Sequence, residues 1–185
     1  METDLARLAR HLEEAFYLEN DPRLQESLRE MRSLAKTSGL VAEVSALSDP
    51  RILFHLARLE VQPSTAAALA ILPMAAVAWA DGAVEPAERQ ALVQALDQVF
   101  FFETIDRDVV DFWLQVPPSE ELLVAWEAYA RELGSRVGAE GRLALRQKVL
   151  DQARQVAEAA GGFLGIGSIC DAEQAMLDRL GKAFV

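Results

Sequence analysis

Asp81, Glu85 and Glu88 sit close together in Val77-Ala78-Trp79-Ala80-Asp81-Gly82-Ala83-Val84-Glu85-Pro86-Ala87-Glu88, where an apolar stretch ends in Asp-Gly and acidic residues follow. Carboxylate oxygens are the ligands that hard divalent cations prefer, and Asp81-Gly82-x-Val84-x-x-x-Glu88 has the spacing of the second half of an EF-hand calcium loop. In that loop glycine makes the sharp turn and the last glutamate binds through both oxygens. The first half is missing, because Val77 and Trp79 stand where oxygen ligands should, so the full cage cannot form. What the residues can build is a smaller oxygen site from Asp81, Glu85 or Glu88, backbone carbonyls and water, with calcium the first ion to fit it. The same acids also have a plainer use: Asp81 as a turn former at a helix end, Glu85 and Glu88 as partners for the free amides and positive end of the next helix.

A weaker echo returns later. Val156-Ala157-Glu158-Ala159-Ala160-Gly161 repeats the V-A-x-A-x-G frame, and Ile169-Cys170-Asp171-Ala172-Glu173 matches Val84 to Glu88, which makes Glu173 the counterpart of Glu88. Ala160 stands where Asp81 stands in the first unit, so a symmetric second cation site is not expected. The glycine-rich run from Gly161 to Ser168 lacks the Gly-Lys-Ser/Thr ending, the preceding strand and the positive surroundings of a phosphate cradle, and reads as a hinge or packing loop. Cys170 reads as a small buried cysteine rather than a reactive thiol, since Asp171 opposes a thiolate. His11 and His55 lack ligand-spaced partners and are assigned to structure. With no nucleophile paired to a base, the chain is expected not to be an enzyme; the least implausible alternative chemistry is metal-assisted hydrolysis by the acidic cluster.

The elements that must position these residues are helices. Leu5, Leu8, Leu12, Ala15 and Phe16 recur at helical spacing, with Arg7, Arg10, Glu13 and Glu14 on other faces. Asn20-Asp21-Pro22 opens a second helix that stops near Ser38-Gly39, and Asp49-Pro50 opens a shorter one with Leu53, Leu56 and Leu59. Gln62-Pro63-Ser64 caps an Ala-rich helix leading to Asp81, in which Pro73 predicts a kink or a break. After Pro86, Leu92 and its neighbours form one stripe, whose end at Phe100–Phe102 is strongly apolar. Val109 and Trp113 form another, which Pro117-Pro118 must stop. Ser119 caps a helix carrying Leu122, Trp126, Ala130 and Leu133 and closed by Gly134; a longer one runs to Gly161, and Asp171 to Phe184 forms the last, with Asp171 and Gln174 at capping-box spacing. Trp79, Trp113 and Trp126 fall on apolar stripes and are expected in the core. No alternating strand pattern appears. The expectation is an all-α, compact bundle of about eight to ten helices with an internal helix-loop-helix pseudo-repeat, divided into a helical extension over residues 1–60 packed on the core and a main helical domain over 61–185.

The chain has 185 residues, 51% of them hydrophobic, enough to bury a sizeable core without staples. Its net charge of −11 repels a phosphate backbone or an anionic membrane surface, so proteins, not nucleic acid or membrane, are the expected partners. The longest apolar run, Ala66 to Ala80, is too short and too interrupted for a membrane span. A single cysteine and an acidic, amphipathic N-terminus point to the cytoplasm.

Ala80-Asp81-Gly82 with Glu85 and Glu88, followed by Gly161-Gly162-Phe163-Leu164-Gly165 with Ile169 and Glu173, resembles the tellurite-resistance protein B (TerB-like) family over roughly Ser64 to Val185. The resemblance implies a helical bundle with a pseudo-repeat, a role in stress and tellurite resistance, and acidic residues near the helix junctions binding a divalent cation. Carried over by position, those residues are Asp81, Glu85, Glu88 and Glu173. The expectation is therefore a noncatalytic, stress-associated module for protein interaction or divalent-cation sensing. The alternatives are the hydrolase above and a purely structural, oligomerising helical protein.

Overall fold

The computed structural model describes residues 3–17, 21–26, 28–29, 59, 61–97, 107–160 and 169–185. Among them every regular element is helical and none is a strand. The named helices are α1 (Asp4–Phe16), α2 (Pro63–Ala78), α3 (Pro86–Asp97), α4 (Arg107–Trp113), α5 (Glu120–Arg136), α6 (Gly138–Ala160) and α7 (Asp171–Lys182). Residues 22–26 are helical as well, opened by Asp21, whose Oδ1 accepts from the Arg23 amide at 3.0 Å. The fold is an all-α bundle. The expected helices between residues 30 and 58 with His55, the apolar end Phe100–Phe102 and the loop Gly161–Ser168 lie outside the described residues.

At the centre is α2. It is apolar on every side, as a helix surrounded by others must be, and it touches α6, α1, α5, α7 and α3. Its many alanines let those neighbours approach closely, and Ala66 to Ala78 is buried without interruption. Of the kink or break expected at Pro73, the break is absent: the helix runs unbroken from Pro63 to Ala78. Proline removes the amide that would bind the carbonyl one turn back, on Leu69. That carbonyl is taken by the buried Trp126 of α5, whose indole N–H donates to Leu69 O at 3.1 Å.

The start of α2 is held from another helix. Gln62, its N-cap, does not cap the helix with its side chain. Instead Glu13 of α1, expected on a polar face, is buried, and its Oε1 accepts from Ser64 Oγ at 2.7 Å and from Thr65 Oγ1. A carboxylate at this end of α2 also faces the positive pole of the helix. Tyr17 reaches the same turn, donating to Ser64 O at 3.3 Å, and Phe16 stacks on Trp113 with ring centroids 5.3 Å apart. Thus α1, packed on α5 and α2, shares the main core.

Most helix ends fall where local chemistry places them. Ser119 caps α5, accepting from the Leu122 amide at 3.2 Å. Gly134, however, does not close α5. The helix passes through it to Arg136, and the turn is made at Gly138, whose φ of +76° suits glycine. Gly134 serves packing instead: a Cβ there would stand 3.3 Å from Arg142 Cγ. Trp113 and Trp126 are buried as expected, while Trp79 is half-buried with its indole N–H on Trp113 O at 2.9 Å.

Candidate functional site

The Asp-Gly junction is a tight turn between α2 and α3. Gly82 takes φ of +98°, its amide donates to Trp79 O at 3.0 Å, and Asp81 Oδ1 accepts from the Ala83 amide at 3.1 Å. Asp81 and Glu85 are both exposed. Glu88 is not: one turn into α3, it is 2% exposed, and its Oε2 accepts from the Glu85 amide at 2.7 Å. A glutamate at this position of a helix binding back to the first free amide is one half of a capping box.

The start of α7 repeats this arrangement. Glu173 is buried, and its Oε2 accepts from the Cys170 amide at 2.5 Å. Cys170 completes the box, its Sγ accepting from the Glu173 amide at 3.4 Å. The expected pair of Asp171 and Gln174 is therefore displaced by one residue. Cys170 is also exposed rather than buried, because an N-cap residue stands outside the helix it opens. Before each box an apolar side chain, Val84 or Ile169, packs against the core. The echo between Val84–Glu88 and Ile169–Glu173 is thus a repeated helix start.

Glu88 feels the charge of Glu173. Burial pushes Glu88 up to about 7, opposed by the hydrogen bond from the Glu85 amide; the negative charges of Glu173, Asp81 and Glu85 raise it further, in that order. All four acids singled out in the sequence therefore bear on one point, with Glu88 and Glu173 buried and Asp81 and Glu85 at the surface. Each capping carboxylate engages one oxygen. The Oε1 atoms of Glu88 and Glu173 have no hydrogen-bond partner among the described residues. Such oxygens suit a hard cation, yet among the described residues no group of three or more His, Cys, Asp or Glu stands assembled to hold one. An ion would have to draw an exposed carboxylate inward.

Sequence reasoning missed a second polar cluster, between α1, α2 and α5. Beside the Glu13, Ser64 and Thr65 bonds lies Tyr129, fully buried, with no hydrogen-bond partner for its hydroxyl; burial, then the charge of Glu13, raises its pKa. It is sealed from solvent and reads as core structure. His11 is exposed on α1. Among the described residues no helix is long and apolar enough to cross a membrane. No protein-family model matches the chain, and no curated protein or solved structure matches it either.

Proposed function

We propose that the protein is a noncatalytic interaction module of the tellurite-resistance protein B kind, whose helix junctions respond to a divalent cation, calcium first. One observation carries this reading: two buried capping glutamates, Glu88 and Glu173, lie close enough to raise one proton affinity, and each keeps an oxygen free of hydrogen bonds. Two such carboxylates repel in a site of low dielectric, and a cation bridging them relieves that repulsion. Asp81 and Glu85 are exposed, and drawing Asp81 toward the ion gives up its bond from the Ala83 amide, so binding reshapes the Gly82 turn and the surface beside it. That change is what a partner protein would sense.

The test is a calcium and a magnesium titration at constant ionic strength, followed by tryptophan fluorescence, to which Trp79 beside the turn contributes, and by thermal unfolding. Saturable binding to the folded state stabilises it by about 2.7 kcal/mol at a hundredfold excess over Kd. Glu88→Gln, Glu173→Gln and Asp81→Asn should each weaken the response. An identical response in parent and variants would mean general screening of negative charge and would remove the cation from the proposal.

A further inference from the structure

The far end of α7 presents the opposite chemistry. Arg146 and Arg154 of α6 and Lys182 of α7 border one groove of about 290 Å³, with Leu150, Leu177 and Gly181 along it. Arg146, Leu150 and Arg154 follow at four-residue spacing and so share one face of α6. Gly181 is a point of close approach: a Cβ there would stand 3.2 Å from an Arg146 guanidinium nitrogen and 3.3 Å from Leu150 Cδ1. The bare backbone gives the guanidinium its room, and Arg146 Nε donates to Gly181 O at 3.3 Å.

Complementing the negative end of α7 explains Arg146 and Lys182. It does not explain Arg154. That side chain is exposed, and neither it nor Arg146 or Lys182 has an ion-pair partner among the described residues. The chain carries 29 acidic residues against 18 Lys and Arg, so neutralising three gathered cations would have been easy. Asp178 also borders the groove and keeps its charge while its Oδ1 accepts from Gln174 Nε2 at 2.8 Å, so the lining sets three cationic side chains against one carboxylate. An excess of cations without ion-pair partners around a part-apolar groove matches an anion that brings its own apolar surface.

We propose that the α6–α7 groove binds a phosphate monoester on a small apolar group, with Arg146, Arg154 and Lys182 on the phosphoryl oxygens and Leu150 and Leu177 against the apolar part. Guanidinium forks match phosphoryl oxygens in pairs, and about 290 Å³ stands at the small end of ligand sites, which suits a compact ligand. This site is independent of the cation at the other end of α7.

Phenyl phosphate is the probe, titrated by calorimetry at about 150 mM ionic strength, where long-range attraction is screened. Saturable binding with Kd below about 1 mM is expected. Arg154→Ala and Lys182→Ala should each weaken it by about tenfold or more, the scale of one charge-assisted bond. Both residues are exposed, so the variants should unfold at the parent's temperature. Arg154→Lys, which keeps the charge and loses the fork, should fall between. Glu88→Gln should bind the probe as the parent does, which separates this site from the cation reading. Sedimentation with phosphatidic acid vesicles distinguishes the source: binding to vesicles alone assigns the phosphate to a lipid headgroup, and binding to phenyl phosphate alone to a free metabolite. No saturable binding to either probe, or equal binding by parent, Arg154→Ala and Lys182→Ala, would overturn the site.

Discussion

Glu88 keeps its proton to higher pH in the folded chain than in the unfolded one, because it is buried among Glu173, Asp81 and Glu85. Between its ordinary value of 4.5 and its folded value of about 7, the folded state binds more protons, so this residue's contribution to stability falls as pH rises through that window. Glu88→Gln keeps an acceptor for the Glu85 amide and removes the charge. The variant should match the parent's pH profile below the window and gain on it through the window, reaching on the order of 2 kcal/mol near pH 8. Chemical denaturation at a series of pH values measures this difference, and a constant offset from pH 4 to pH 8 would contradict it. The acids themselves were legible in the sequence, since Asp-Gly before Pro86 marks a turn and a helix start. The meeting of Glu88 with Glu173 was not, because it depends on how α3 and α7 pack against the rest. Cys170 was misjudged for a related reason: residue type suggests burial, whereas its place just outside α7 makes it a cap.

Helices supply each other's missing partners, and two variants measure how strongly. In α2, Pro73 leaves the Leu69 carbonyl without its usual amide, and Trp126 of α5 supplies the donor. Trp126→Phe should therefore destabilise the protein by about 2–4 kcal/mol, from the lost bond and a small cavity. Pro73→Ala returns an amide to the helix, so Trp126→Phe should cost about 1 kcal/mol less in that background. A double-mutant cycle without coupling would show that the indole bond is incidental. Glu13 gives the second case. Glu13→Ala leaves the buried hydroxyls of Ser64 and Thr65 without their acceptor and should cost about 2–5 kcal/mol in urea unfolding, against a smaller loss for Glu13→Gln. A loss for Glu13→Ala no larger than that for an exposed glutamate of α1 such as Glu14 would refute the capping role. Apolar stripes and the stop at Pro117-Pro118 placed the start and the buried face of α5, because a helix advertises its buried face at a fixed period. Glu13 escaped notice because a lone carboxylate beside Leu12 carries no sign that α2 begins against it.

At the level of the whole molecule, the question is whether the N-terminal segment is an appendage or part of the body. A division near residue 60 suits the sequence, where the motifs begin only after it. In the structure Leu5, Leu12, Phe16 and Tyr17 belong to the same buried cluster as α2, α5 and α6, and α1 packs on α5. Removing residues 1–17 would uncover Trp113, which stacks on Phe16, and the start of α2, which Glu13 and Tyr17 hold. A large apolar area would meet water at about 25 cal/mol for each Å², and buried hydroxyls would lose their acceptor at once. Since small domains are stable by only about 5–15 kcal/mol, the shortened chain should lose its cooperative thermal transition. The full chain should instead unfold in one step seen equally by circular dichroism and tryptophan fluorescence. If the chain without residues 1–17 melted cooperatively near the parent's temperature, α1 would be an accessory and the core would be complete without it.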